Sequence, residues 1–166
     1  FTLREARGTF SFWIFALALF MGALVMTAYT FHIVSIFQEA FGETENSRSL
    51  ALSLFLPASV IAVVSQFTGS WLSNYVKLKY FCMLQLAGIL SLCVGMIVLG
   101  PGVPTVLVVA GHGIAQGIFG ITSTITWPRF FGRAHLGAIS GFAAALSVAG
   151  SAVGPFMFSF GRDLTS

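Results

Sequence analysis

The sequence predicts an all-α membrane protein of five transmembrane helices, and three observations predict it. Charged residues make up 8% of the 166 residues and hydrophobic ones 57%, with 18 phenylalanines, where an ordinary soluble domain is about 25% charged. The few charges are segregated: no Asp, Glu, Lys or Arg falls between Gly8 and Gln38, Ser49 and Val76, Tyr80 and Pro128, or Ala134 and Gly161. The longest of these runs is divided by Gly100-Pro101-Gly102-Val103-Pro104, where two prolines and two glycines would end a helix. A helix needs about 20 apolar residues to cross the hydrocarbon core, and an open sheet cannot satisfy its edges in lipid. The spans therefore fall near residues 11–37, 49–73, 80–99, 104–127 and 136–160.

In the first span, Thr27 and Thr30 lie nearly opposite Tyr29 and His32 on a helical wheel, so only one pair can face a pore. His32, near the far end, is either an interface histidine or a ligand. The polar stretch Glu39 to Arg48 predicts an external loop, with Asn46 or Ser47 placed to cap the next span. Pro57 should bend the second span, which carries a weak polar stripe of Ser59, Gln66, Gly69 and Ser73. The third is nearly uniform Leu, Ile, Val and Met, as expected of a helix facing much lipid, with Gln85 read as structural. Its Cys82 and Cys93 form no metal or redox motif. The fourth and fifth spans repeat small residues four apart: Gly113 and Gly117, Gly137 and Gly141, Gly150 and Gly154. Such spacing lets backbones approach closely; the faces either pack tightly or slide past one another. Gly154-Pro155 should bend the fifth span.

Orientation follows from the basic residues. Arg4 and Arg7 precede the first span, Lys77 and Lys79 follow the second, and Arg129 and Arg133 follow the fourth, which puts six of the eight Lys and Arg on one side. The positive-inside rule places that side, with the N-terminus, in the cytoplasm and the C-terminus outside. Trp13, Trp71 and Trp127 fall at the same ends, where indoles favour the interface. The net charge of +3 calls for no nucleic-acid partner, since no basic patch with interleaved aromatics exists. The chain opens at Phe1 with no signal peptide and reads as a segment of a longer one.

Intramembrane polar residues point to function. At 100° per residue, His112, Gln116, Phe119, Ser123 and Thr126 share one stripe of the fourth span. An imidazole, an amide and two hydroxyls beside an aromatic ring suit a water-accessible cavity for a small polar solute; alternatively His112 and Gln116 hydrogen-bond a neighbouring helix as packing glue. Gln66, Thr27 and His32 are further cavity candidates. No span contains a Lys, Arg, Asp or Glu, so this segment supplies no intramembrane cation for a carboxylate. Catalysis and metal binding are not expected: His112 lacks an acidic partner at metal-site spacing, and neither a Ser-His-Asp set nor a phosphate-cradling loop is present. No cofactor is implied.

The sequence resembles the major facilitator superfamily, most of all its bacterial monocarboxylate-transporter and oxalate–formate-antiporter-like branch. The resemblance is carried by Phe31-His32-Ile33-Val34-Ser35-Ile36-Phe37, by Trp127-Pro128-Arg129-Phe130-Phe131-Gly132-Arg133, by His135-Leu136-Gly137-Ala138-Ile139-Ser140-Gly141, and by Gly150-Ser151-Ala152-Val153-Gly154-Pro155 with Asp163-Leu164-Thr165 after it. It implies helices seven to eleven of a twelve-helix transporter, hence a C-terminal half bundle lacking its last helix, in a cell membrane such as the bacterial inner membrane. It also implies secondary transport of a small solute, such as a monocarboxylate, by alternating access, with the N-terminal half of the same transporter as partner. The superfamily's cytoplasmic loop motif pairs a Gly with an Asp four residues later; here Gly69 is followed by Ser73, with Lys77 and Lys79 keeping the basic character and Arg129 and Arg133 on the next loop of that side. Spans one, two, four and five would line the cavity and the third would sit outside, with His112, Gln116 and Ser123 touching solute, His112 able to relay a proton, and Pro57, Gly154 and Pro155 flexing. A rival reading is a non-transporting receptor or scaffold whose stripes serve packing alone.

Overall fold

The computed structural model describes residues 1–100 and 102–163; Pro101 of the predicted break and Leu164-Thr165 of the last motif lie outside the described residues. The described residues form seven helices: α1 (Leu3–Arg7), α2 (Phe10–Phe41), α3 (Glu45–Ser53), α4 (Phe55–Leu72), α5 (Leu78–Ile97), α6 (Val103–Phe131) and α7 (Leu136–Asp163). Five runs are long and apolar enough to cross a membrane: α2, α3 with α4 as one 28-residue rod, α5, α6 and α7. The chain is an all-α, multi-pass membrane protein. Its outer surface agrees: Leu56, Phe67, Leu90, Ile97 and Phe156 are all more than three-fifths exposed, which lipid tolerates and water does not.

The helix ends differ from the sequence reading, and each difference has a local cause. The predicted ten-residue external loop is a three-residue turn. Gly42 takes a left-handed φ of 89°, and the Thr44 hydroxyl caps α3 by accepting from the Ser47 N–H at 3.2 Å. The cap is thus Thr44, not Asn46 or Ser47, and Glu45 in the first turn complements the helix dipole. The second span breaks at Leu54, between α3 and α4. Pro57 has no N–H to offer the Ser53 carbonyl, so the ladder is interrupted one turn before it. The fourth span runs past Pro128 to Phe131 and stops at Gly132, whose φ is 75°, so Arg129 belongs to a helix rather than a loop.

Helices α2 and α6 are central. α4 flanks α6, α7 flanks α2, and α5 packs mainly on α6 with a lighter contact to α2. Two apolar clusters fill the bundle. One joins Phe12, Phe15, Leu78, Phe81, Trp127 and Ile139 toward the end that carries the basic residues; the other joins Met26, Ile33, Phe37, Leu54, Leu92 and Val108 toward the opposite end. Gln85, 1% exposed, ties three helices. Its Nε2 donates to the Ala18 carbonyl of α2 at 3.2 Å, and the Thr122 hydroxyl of α6 donates to its Oε1 at 2.8 Å.

Small residues set the close contacts. A Cβ on Gly111 would lie 2.6 Å from the Leu92 N of α5, and one on Gly113 2.7 Å from the Ala58 O of α4. One on Gly150 would lie 2.5 Å from the Phe20 O of α2. Gly137 and Gly141 share the same spacing, yet nothing lies within 4 Å of either. That glycine pair packs on no helix of this bundle.

Candidate functional site

The geometry of α6 locates the polar stripe. Gly111 and Gly88 bring α6 onto α5, Gly113 and Gly117 bring it onto α4, and Phe119 meets Gly22 of α2. On the wheel, His112, Gln116 and Ser123 fall between the α2-facing and α4-facing residues, on the side away from α5. Among the described residues α4 and α7 make at most a marginal contact, so this side of the bundle stays open between them. Gln116 is exposed, and His112 and Ser123 are half-buried. Gln66 of α4 lies beside Gly120, where an added Cβ would be 3.1 Å from its Nε2; it therefore borders the same side. Thr27 stands about 160–200° around α2 from Val25, Tyr29 and Ile36, which line a cleft toward α5 and α7.

Three aromatic rings from three helices meet at the inner end of the stripe. The Tyr29 ring of α2 is 4.8 Å from the His112 imidazole, and Phe55 of α4 is 6.0 Å from Tyr29 and 5.9 Å from His112. Tyr29 is 5% exposed. Its hydroxyl and His112 Nδ1 are both buried with no hydrogen-bond partner among the described residues, as is the Thr126 hydroxyl. A buried polar atom without a partner costs about 1–3 kcal/mol, so such atoms are rare and call for a reason. The His112 side chain as a whole is half-buried.

The remaining candidates are spread more widely. Thr27 bonds its hydroxyl to the Ala23 carbonyl, and Ser123 bonds Gly120 O at 3.0 Å, so both are back-bonded to their own helix. His32 is held against α7: its Nε2 is 3.2 Å from the Pro155 carbonyl and its ring stacks on Phe158 at 4.5 Å. It thus joins α2 to α7 beside the Gly154-Pro155 step, where Gly154 lies against the Leu24 carbonyl. Pro57 sits exposed on α4. Gly69 is buried, with Ile121 2.5 Å from the position of an added Cβ. Lys77, Lys79 and Arg133 are exposed, and Arg129 Nη1 donates to the Ser73 carbonyl at 2.6 Å.

Tyr29 is the residue that sequence reasoning left undecided. Its only sequence signal is a phenol in the middle of an apolar span. A separate cleft of about 400 Å3 lies behind the stripe, lined by Val25, Tyr29, Leu92, Met96, Met157 and Phe158 among others. It is nearly all apolar, so it offers a polar solute little to bind.

Fold and polar face define a helical, multi-pass membrane protein with a polar stripe on its open side. Comparison with protein-family models, curated sequences and solved structures gave no match.

Proposed function

We propose that this chain is one wall of a secondary transporter of the major-facilitator type, moving a small polar solute by alternating access. The observation that carries the reading is the His112, Gln116 and Ser123 stripe, turned to the open side between α4 and α7. α2, α4, α6 and α7 wall that side and α5 packs away from it, in keeping with the division of helices that the resemblance implies. His112, Gln116 and Gln66 are the solute-facing groups, and Tyr29 sets the inner face of His112. The facing wall is the N-terminal half of the same transporter. The basic end lies in the cytoplasm, as the loop charges favour. With no cation in the spans, any carboxylate substrate takes its counter-charge from that facing half.

Uptake by the complete transporter in proteoliposomes tests this. His112→Ala and Gln116→Ala should each lower uptake or raise KM by tenfold or more, about 1.4 kcal/mol or more of lost interaction. Wild-type uptake and KM in both would remove the assignment.

One observation favours the receptor or scaffold reading: Thr27 and Ser123 spend their hydroxyls on their own helices, as packing residues do. Ser123→Cys separates the two. A water-soluble thiol reagent reaches it in a transporter cavity and fails to reach it in a packed interface.

A further inference from the structure

We propose that a groove at the basic end, between the α4–α5 turn and the last turn of α6, holds the phosphate of an anionic phospholipid headgroup. The groove has a volume of about 380 Å3 and is lined by Lys77, Leu78, Lys79, Arg129 and Phe130. Three cations thus converge on one space, and none has a carboxylate partner among the described residues. Glu39, Glu43 and Glu45 all sit around the turn at the opposite end of the bundle.

Arg129 is fixed for the task. One guanidinium nitrogen is held by the Ser73 carbonyl, and the planar fork has further N–H donors that suit phosphate oxygens. Lys77 is the N-cap residue of α5, and no side chain caps that helix. The Tyr80 N–H is taken by the Lys77 carbonyl at 3.0 Å, which leaves the Leu78 and Lys79 N–H groups of a 20-residue helix to open beside the lysines. Lys79 Nζ lies 5.0 Å from the centre of the Tyr80 ring, which steadies its long stem.

Depth favours a lipid. Trp71 and Tyr75, 65% and 74% exposed, pair at 5.5 Å on the neighbouring turn, and exposed Trp and Tyr mark the headgroup level. Leu78 and Phe130 give the groove an apolar base, and Met83 and Leu84 expose acyl-compatible surface one turn deeper on α5. Basic pockets between helices at this depth bind anionic headgroups. The other basic pair is less suited: Arg4 and Arg7 share α1 with Glu5, and the Arg7 guanidinium is already engaged over the Phe142 ring at 4.8 Å. The site requires only that α5 and α6 cross a membrane; it does not require transport.

Native mass spectrometry of the complete protein in detergent tests this, titrating phosphatidylglycerol against phosphatidylcholine of the same acyl chains. Wild type should retain one phosphatidylglycerol about tenfold more tightly than phosphatidylcholine. Lys77→Gln/Lys79→Gln/Arg129→Gln should lose that preference, and Arg4→Gln/Arg7→Gln should keep it. Because Arg129 also holds Ser73, the Lys77→Gln/Lys79→Gln variant carries the test alone if the triple variant misfolds. Equal affinity for both lipids in wild type, or unchanged preference in the lysine variant, overturns the proposal. Displacement of phosphatidylglycerol by millimolar inorganic phosphate would also overturn it, by assigning the groove to a free anion.

Discussion

The Tyr29 ring lies 4.8 Å from the His112 imidazole at a tilt of 47°, and neither the phenol oxygen nor His112 Nδ1 finds a partner among the described residues. The contact joins the two central helices, α2 and α6, next to the stripe. Because the hydroxyl makes no hydrogen bond within the chain, Tyr29→Phe removes none. Its expected effect on thermal unfolding is within about 1 kcal/mol of wild type, of either sign. Under the transporter reading the same variant lowers uptake, because the inner face of His112 changes. A destabilisation above about 2 kcal/mol would show that the hydroxyl has a structural partner and is not available for function.

Gln85 presents the opposite case, a buried amide that is satisfied. Gln85→Leu deletes the bonds to Ala18 and Thr122, and the Thr122 hydroxyl can fall back on the Ile118 carbonyl, 3.0 Å away. The expected loss is about 1–2 kcal/mol. Gln85→Glu should lose more, because ionising a group at this depth is expensive. Gly22→Ala should resemble the Leu variant, since its Cβ would come within 2.7 Å of Gln85 Nε2 and 3.2 Å of Phe119. Unfolding of all three variants in detergent checks the order. If Gln85→Glu equals wild type, a neutral carboxylic acid donates to the Ala18 carbonyl in place of the amide.

The spans were legible because lipid imposes one rule on every residue within it: each charge-free run of the sequence lies mostly within the helices that span, with the longest divided between α5 and α6. Their ends were not, because ends depend on single local contacts. Thr44 captures the Ser47 N–H and lengthens both neighbouring helices at the expense of the loop, and nothing in composition distinguishes Thr44 from Asn46 as a cap. The fourth span continues through Pro128 to Phe131, and the chain turns only at Gly132. The α6 stripe was legible from the 100° period alone. The partner of its histidine was not. Which face of α2 turns to α6 depends on how Gly22 and Gly150 let neighbours approach, and that is a property of three helices together. His32 escaped for the same reason, since the Pro155 carbonyl it meets is 123 residues away.

The α1 cap supplies a pH test outside the membrane. The Thr2 N–H donates to the Glu5 carboxylate at 2.8 Å, and the Thr2 hydroxyl accepts from the Glu5 N–H at 3.3 Å, which together form a capping box. The bond from the Thr2 backbone N–H holds the Glu5 carboxyl below its ordinary value, with help from the Thr2 side chain. A depressed carboxylate stabilises the fold above its unfolded-state pKa, about 4.3 for Glu. That contribution fades as pH falls through the lower, folded value. Protection of the Leu3–Arg7 amides, taken as exchange relative to the intrinsic rate at each pH, should therefore fall on acidification below about pH 4, while that of α2 is unchanged. Glu5→Ala should show the faster exchange at neutral pH and lose the acid step. An acid step that persists in Glu5→Ala would assign it to another group.

The two glycine pairs of α7 give the sharpest contrast between spacing and contact. Gly137 with Gly141 and Gly150 with Gly154 have the same four-residue interval and read alike in sequence. In the fold, Gly150 touches the α2 backbone, with the Phe20 oxygen 2.5 Å from an added Cβ, and Gly154 meets the Leu24 carbonyl as closely. A backbone oxygen cannot swing aside as a side chain can, so Gly150→Ala must push α7 off α2. It should cost about 2 kcal/mol or more, by analogy with overpacked cores. Gly137→Ala and Gly141→Ala meet nothing within 4 Å. Each should be neutral or stabilising by up to about 1 kcal/mol, because alanine is the better helix former. Thermal unfolding of this chain in detergent separates the pairs. If Gly137→Ala destabilises as much as Gly150→Ala, its face is covered by a neighbour in solution. Under the transporter reading that is the expected result in the complete protein if the proposed facing half docks on Gly137 and Gly141, so the same substitution made in both contexts also tests that reading.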